Sequence, residues 1–373
     1  MKEIELNICS LGDPTSPSTW SGTPFNLYSE LIKKKCLGIA FNSSPLLNKY
    51  EQKIINLINR YYYKNSVDLG RGFLYRYLRS KKVKKLTKSS SSKRTLHMGT
   101  LALPFYRLPK GQKHYLYCDT TWDLWSSCST NMKGYSKKLL LDAEILEKKT
   151  YQQMDHIFPI SEYVKNNLIK HYNIDSNKIT VVGAGLGVII PFYGKKNYSN
   201  GKILFAAKGR FEDKGGNLVL EAFKIALKSN PQLELSIVGQ NDYTKKINLP
   251  NVKVYGFIAI EELQGIFNES SIFLMPAINE PWGLVYLEAL ACKTPIIGLN
   301  RNSFPEISDY GNFGFGLDDA DPEKLAKIIL NAIENPKRLE EMGQRAQEHL
   351  LNKYSWNNTV SRIMQTIENQ SNE

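Results

Sequence analysis

Residues 272–298 read I-F-L-M-P-A-I-N-E-P-W-G-L-V-Y-L-E-A-L-A-C-K-T-P-I-I-G. The stretch is a strand, a turn, a helix and a second strand in succession. Ile272 to Met275 is a short unbroken apolar run, Trp282 to Cys292 has the length of a helix, and Pro295 to Gly298 is apolar again. Unbroken apolar strands separated by helices belong to parallel sheets covered on both faces.

The same alternation extends outward in both directions. Ile203–Ala207, Leu233–Val238 and Val252–Gly256 read as strands. Leu218–Ser229, Ile260–Asn268, Pro322–Asn335 and Lys337–Tyr354 read as helices. In the first half, Leu6–Ser10 is a strand and Leu11–Gly22 a polar loop. A helix opens at Thr23-Pro24, with Pro24 where a first-turn proline belongs. Leu37–Phe41, Leu101–Leu103, His114–Cys118, His156–Pro159 and Ile179–Val182 read as further strands. Glu51–Tyr63, Lys138–Met154 and Glu162–Tyr172 read as helices, the last capped by Ser161. The expected fold class is therefore α/β, two Rossmann-like doubly wound domains facing a central cleft. A length of 373 residues suits two domains. Residues 183–202 are glycine-rich and without period, so the linker is placed there. This divides the chain into an N-terminal domain 1–190 and a C-terminal domain 191–355.

Composition narrows the class. Hydrophobic residues at 42% and charged residues at 23% exclude collagen and a wholly disordered chain. Five widely spaced cysteines without a C-x-x-C pair suggest neither a disulfide framework nor a zinc knuckle. They point to a reducing cytoplasm. The start, M-K-E-I-E-L-N-I-C-S, is too short and too acidic for a secretion signal, and no apolar run approaches a membrane-spanning length. Charge is uneven: the net +13 resolves into +17 before residue 200 and −4 after it. A half that basic is expected to face an anion. The densest stretch, Arg79 to Arg94, carries four consecutive serines and reads as a flexible loop that could meet an anionic membrane surface. No recognisable nucleic-acid motif accompanies it, so no nucleic-acid partner is expected.

Two elements of the second half carry chemistry. In E-P-W-G-L-V-Y-L-E, Glu280 and Glu288 bracket seven residues at the start of a helix. Pro281 and Gly283 shape the turn, and the first amides of the helix, near Gly283 and Leu284, are unpaired donors suited to a phosphate. Glu288 follows about 12 Å along the helix. One carboxylate can then hold sugar hydroxyls while the other holds ribose hydroxyls. In K-G-R-F-E-D-K-G-G, Lys208 to Gly216, the cations Arg210 and Lys214 follow a strand and can neutralise a leaving diphosphate. Asp319-Ala320-Asp321 spells a metal-binding D-x-D, but it precedes Pro322 and a helix, where an acidic cap is expected.

The E-P-W-G-L-V-Y-L-E run and its continuation A-L-A-C-K-T-P-I-I-G resemble the E-x7-E element of family 4 glycosyltransferases. W-S-G-T-P-F-N-L-Y, Y-C-D-T-T-W-D, D-H-I-F-P-I-S-E-Y-V-K-N-N-L and Y-S-W-N-N-T-V are similar to stretches of the same family, so the resemblance covers most of the chain. It implies the GT-B fold and a retaining transfer, of hexosyltransferase type, from a nucleotide diphosphate sugar. The acceptor hydroxyl would belong to a glycan, a polysaccharide or a lipid-linked molecule. The implied reaction needs no cofactor and no metal. A C-terminal helix, 356–373, would pack back on the N-terminal domain. The resemblance implies a catalytic set of Glu280, Asp119, Lys214 and Arg210. It implies a donor-binding set of Glu288, Gly283, Leu284, Gly22, Gly239 and Phe257. Gly22 stands at the glycine loop after the first strand, although the family's tandem glycine is replaced by Ser21-Gly22. Asp119 stands where many members carry a histidine. His114 and His156 flank strands and read as structural. Gly239 and Phe257 stand at the base pocket. Arg210 lies four residues before Lys214, where members commonly have five. The expected location is cytoplasmic, peripheral on the inner face of a membrane. Two alternatives stay open: a nucleotide-sugar epimerase on the same fold, and a non-catalytic protein that binds polyanions or membrane.

Overall fold

The computed structural model describes residues 4–105, 111–128, 132–239 and 247–372. The chain divides into two compact units, Met1–Ala184 with Trp356–Glu373, and Gly185–Ser355.

The first unit contains β1 (Leu6–Ser10), α1 (Thr23–Lys33), β2 (Leu37–Asn42), α2 (Lys49–Tyr62), α3 (Phe73–Ser89), β3 (Arg94–Met98), β4 (Lys113–Cys118), α4 (Trp122–Cys128), α5 (Lys137–Gln153), β5 (His156–Pro159) and α6 (Glu162–Lys170). Its five strands are parallel, in the order β2-β1-β3-β4-β5. The second unit contains β6 (Lys202–Ala206), α7 (Gly216–Ser229), β7 (Glu234–Val238), β8 (Val252–Gly256), α8 (Ile260–Glu269), β9 (Ile272–Leu274), α9 (Leu284–Ala291), β10 (Ile296–Leu299), α10 (Phe304–Ile307), β11 (Gly314–Leu317), α11 (Pro322–Ile333) and α12 (Pro336–Lys353). Its six strands are also parallel, in the order β11-β10-β9-β6-β7-β8. The last helix, α13 (Trp356–Asn372), belongs to the first unit and packs on α1.

These orders position the chemistry. In the second unit the chain runs outward from β6 through β7 to β8, then returns to the other side of β6 to lay down β9, β10 and β11. The direction therefore reverses between β6 and β9. Loops leaving the two strands on either side of such a reversal diverge and leave a crevice at the carboxyl ends. In the first unit the reversal lies between β1 and β3. Ile203, Leu204 and Phe205 of β6 and Ile272, Phe273 and Leu274 of β9 are fully buried. That is why both strands read as unbroken apolar runs.

Three expectations are corrected. Arg79 to Arg94 is not a loop. Helix α3 runs through Ser89, since lysine is a good helix former and the stretch holds no breaker. Ser90 Oγ donates to Asn7 Oδ1 at 2.9 Å and Ser92 Oγ to the Glu5 carbonyl at 2.6 Å, so both serines are held. Arg79 is buried and donates to the Gly70 carbonyl at 2.6 Å. Leu101–Leu103 is a turn, and the strand is the preceding Arg94–Met98, whose mixed polar side chains conceal it. Ile179–Val182 runs beside β5 with only Ile179 in a formal bridge to Ile157. Strand β11 was not expected, because its G-F-G-L sequence is glycine-rich.

Candidate active site

At the β6–β9 reversal, two loops are stitched together. The Ile278 amide donates to the Asp213 carbonyl at 2.8 Å, and Arg210 Nη2 donates to the Asn279 carbonyl at 2.9 Å. The Lys214 ammonium and the Glu280 carboxylate form an ion pair across the same seam. Sequence reasoning put these side chains on separate motifs; the parallel order brings them into contact. Arg210 has a left-handed backbone (φ 50°), and its Nε lies 3.7 Å from Asp213 Oδ2. Burial and the neighbouring Arg210 push the Lys214 ammonium down, and Asp213 opposes them. A cation held this way gains from any further negative charge delivered to it.

Gly283 (φ 82°) makes the turn into α9, and Leu284 is the first residue of that helix. A Cβ at Gly283 would lie 2.6 Å from Tyr286 Cδ2 and 2.9 Å from Glu280 Cγ, so only glycine fits. Tyr286 Oη in turn donates to the Met275 carbonyl at 2.5 Å and fixes the helix against β9.

Glu288 is buried. Its Oε1 accepts the Val188 amide at 2.8 Å and the Ile189 amide at 3.3 Å. Burial raises its pKa, and the two amides oppose the rise. A Cβ on Gly187 would run into the same oxygen. The 187–189 segment was not expected at this position. Its only signal is the G-A-G-L-G run that reads as a linker.

At the ends of β6, β7 and β8, Lys208, Gly239 and Phe257 follow one another across the sheet. Gly239 (φ 120°) donates its amide to the Gly256 carbonyl at 2.8 Å, and a Cβ there would strike the Ala207 carbonyl oxygen. Phe257 is exposed, with Lys208 Nζ 5.8 Å from its ring centre. An exposed ring beside a cation is a surface on which a flat heterocycle can stack.

In the first unit, the turn that leads to Gly22 is tied to Asp119 by a residue that sequence reasoning missed. Trp20 Nε1 donates to Asp119 Oδ2 at 3.2 Å, and its ring meets Tyr117 edge-on at 6.2 Å. Trp20 (φ 44°), Ser21 (φ 52°) and Gly22 (φ 83°) are three consecutive left-handed residues. Strain on two non-glycine residues in succession is kept only where surroundings over-determine it. Burial raises the Asp119 pKa, while the Trp20 N–H, the amides of Asp119 and Thr120 and the charge of Arg71 oppose it.

His97, His114 and His156 are buried in the first unit. His97 Nε2 and His114 Nδ1 share a hydrogen bond at 2.8 Å in the core. His156 is held by Thr180 at 2.8 Å and Gln370 at 2.7 Å. Asp321 caps α11, accepting from the amides of Glu323 at 2.8 Å and Lys324 at 3.1 Å. Asp319 pairs with Lys324 at 3.0 Å, so the D-x-D is occupied by its helix. Among the described residues no three His, Cys, Asp or Glu side chains converge as a metal site.

Residues 192–349 match the family model described as glycosyl transferases group 1. The match takes in most of the second unit and less than half of the chain. Arg210, Lys214, Gly239, Phe257, Glu280, Gly283, Leu284 and Glu288 all lie within the matched group 1 region. A D-inositol 3-phosphate glycosyltransferase of Paenarthrobacter aurescens is 28% identical over 218 residues, covering 52% of this chain. The match covers 53% of that relative, so the chain spans about half the length of the curated protein it resembles. Among solved structures, sucrose-phosphate synthase from Thermosynechococcus elongatus superposes with a TM-score of 0.72 at 15% identity, covering 98% of this chain and 99% of that one. Anabaena HepE in complex with UDP superposes with a TM-score of 0.66 at 13% identity, covering 98% and 100%. These likenesses establish the GT-B fold, two parallel-sheet α/β units, for both units of the chain.

Proposed function

We propose that the chain is a retaining hexosyltransferase of the family 4 type, which moves a sugar from a nucleotide diphosphate sugar to an acceptor hydroxyl. The contact between Lys214 and Glu280 at the β6–β9 reversal supports this most. A cation suited to a diphosphate and a carboxylate suited to sugar hydroxyls meet where doubly wound sheets bind nucleotides. The UDP named with Anabaena HepE supports a nucleoside diphosphate as the leaving group. The relative named for D-inositol 3-phosphate supports a hydroxyl acceptor, which here is a glycan or a lipid-linked molecule.

In this reading the donor diphosphate draws the Lys214 ammonium from Glu280, and Arg210 and the amides of Gly283 and Leu284 add positive charge. The bond from the anomeric carbon to the diphosphate breaks. The acceptor oxygen bonds to the same face of that carbon, and its proton passes to the departing phosphate oxygen. Glu280, released from Lys214, holds sugar hydroxyls, and the free face of Glu288 meets the ribose. Phe257 and Gly239 border the base. Asp119 serves the acceptor side, and the Gly22 turn serves the donor phosphate as well as the acceptor. The positive groups stabilise the charge that develops on the leaving group, so the reaction proceeds without a metal and survives EDTA.

The test is a thermal-shift series with UDP, GDP, ADP and CMP on the wild type, Lys214→Met and Glu280→Gln. A ligand at about a hundred times its Kd adds about 2.7 kcal/mol of stability. One diphosphate should raise Tm in the wild type and in Glu280→Gln but not in Lys214→Met. Turnover of the matching donor sugar should be lost in Glu280→Gln. No shift with any nucleotide overturns the reading.

A further inference from the structure

The surface that the proposed reaction leaves unexplained is helix α2. Tyr50, Ile54, Leu57, Ile58 and Tyr61 recur at helical spacing and therefore share one stripe of it. None of them is covered: Ile54 is 58% exposed, Leu57 71% and Tyr61 90%. The helix is attached by its other side, where Asn59 is buried and Asn56 Oδ1 accepts the Tyr75 hydroxyl at 2.7 Å. Its start is fixed by a reciprocal cap, with Asn48 Oδ1 accepting the Glu51 amide at 2.9 Å and Glu51 Oε2 accepting the Asn48 amide at 2.8 Å. The helix is thus built to keep its shape while presenting an apolar stripe outward. Contiguous exposed apolar surface of this kind marks an interaction site.

The charges beside the stripe indicate what covers it. Lys49, Lys53 and Arg60 fall at spacings that line one edge of it, and all three are exposed. Lys81, Lys84, Lys85 and Lys88 of the neighbouring basic helix α3 are exposed as well. Residues 51–100 hold 13 basic and 2 acidic side chains. We propose that α2 lies in the interface of an anionic lipid bilayer, with Ile54, Leu57 and Ile58 among the acyl chains and Lys49, Lys53 and Arg60 at the headgroups. A helix with an aliphatic stripe edged by long cations matches that interface, whereas a nucleic acid would gain nothing from the aliphatic residues. A second copy of this chain would bring two halves of charge +17 together. The polybasic segment read from the sequence as a loop takes a different part here: α3 supplies attraction at a distance and α2 supplies insertion. No helix among the described residues is long and apolar enough to cross a membrane, so the docking is interfacial. This inference does not depend on the proposed reaction.

Flotation of the full chain tests it, with vesicles of phosphatidylcholine alone and of phosphatidylcholine with phosphatidylglycerol in equal parts. The wild type should float with the mixed vesicles and far less with the neutral ones. Ile54→Ser/Leu57→Ser/Ile58→Ser should weaken binding about tenfold or more. Lys49→Ser/Lys53→Ser/Arg60→Ser should weaken it by roughly fivefold per residue at low salt. All six positions are solvent-facing, and thermal melts establish that both variants stay folded. Should the aliphatic variant melt early, the basic variant alone decides. The proposal is overturned by a wild type that stays with neither vesicle, or by folded variants that float as well as the wild type. It is also overturned by light scattering that shows a dimer dissociated by the aliphatic variant, with no vesicle binding.

Discussion

Glu288 Oε1 accepts the backbone amides of both Val188 and Ile189, at 2.8 and 3.3 Å, from the interior of the second unit. The second glutamate of the E-x7-E element therefore holds the 187–189 segment in place besides any contact with donor. Glu288→Ala removes the acceptor of the Val188 amide and of the buried Ile189 amide and opens a void, and should cost about 2 kcal/mol or more in urea unfolding. Glu288→Gln keeps an acceptor of the same shape and should cost less than about 1 kcal/mol. Equal stability of Glu288→Ala and wild type would show that the segment is held by other means. For the same reason Glu288→Ala is a poor probe of nucleotide binding, and Glu280→Gln is the better one.

Lys214 and Glu280 are both mostly covered, and the loops that carry them share further hydrogen bonds. The pair should therefore couple in a double-mutant cycle. Unfolding of Lys214→Met, Glu280→Gln and the double variant should give an interaction energy of about 1–3 kcal/mol. Additive losses would mean that the ammonium and carboxylate act independently, and would remove the basis for an exchange of partners on donor binding.

His97 and His114 give a pH dependence whose sign can be worked out. Burial and the neighbouring His114 hold His97 well below its usual range, and burial pushes His114 down to about 4. The unfolded chain binds protons near pH 6.5, which the folded chain refuses. Stability from the pair is complete above that value and is lost as pH falls from about 6.5 toward 4. The slope is about 1.4 kcal/mol per pH unit for each histidine. The buried carboxyls of Asp119, Glu147 and Glu288, whose pKa values are raised, act in the opposite sense. The comparison is therefore with His97→Gln/His114→Gln. Between pH 7 and pH 5 this variant should lose less stability than the wild type in urea unfolding. Parallel losses would show that the pair does not titrate.

Apart from β11, the strands of the second unit could be read from the sequence, because β6, β9 and β10 are short apolar runs and each of the others is closed by a glycine. Lys214 and Glu280 could be named individually, and their contact then followed from which strands neighbour β6. The first unit was harder. Strand β3 reads R-T-L-H-M, and two of its polar members find partners inside the sheet, His97 Nε2 with His114 and Thr95 with Asn7 at 3.4 Å. No apolar run marks it. Helix α3 carries basic residues around its whole girth, Arg76 and Arg79 buried among them, so no amphipathic period shows. The partners of Glu288 and Asp119 lie 100 and 99 residues away in the chain, and only the folded backbone brings them near.

Trp20 and Asp119 allow the acceptor side to be tested separately from the donor side. The indole N–H is one of the groups that hold the Asp119 pKa down against burial. Trp20→Phe removes that donor and leaves an aromatic ring to pack on Tyr117. The Asp119 pKa should then rise further. In the proposed reaction the ionised carboxylate attends the acceptor, so the acid limb of the kcat/KM profile should move to higher pH. The Tm shift given by the nucleotide should change little, because in the proposed reaction all the nucleotide contacts but the Gly22 turn come from the second unit. A pH profile that does not move, with activity retained, would place Asp119 outside the reaction. Its bond to Trp20 would then serve only to hold the three left-handed residues that lead into α1.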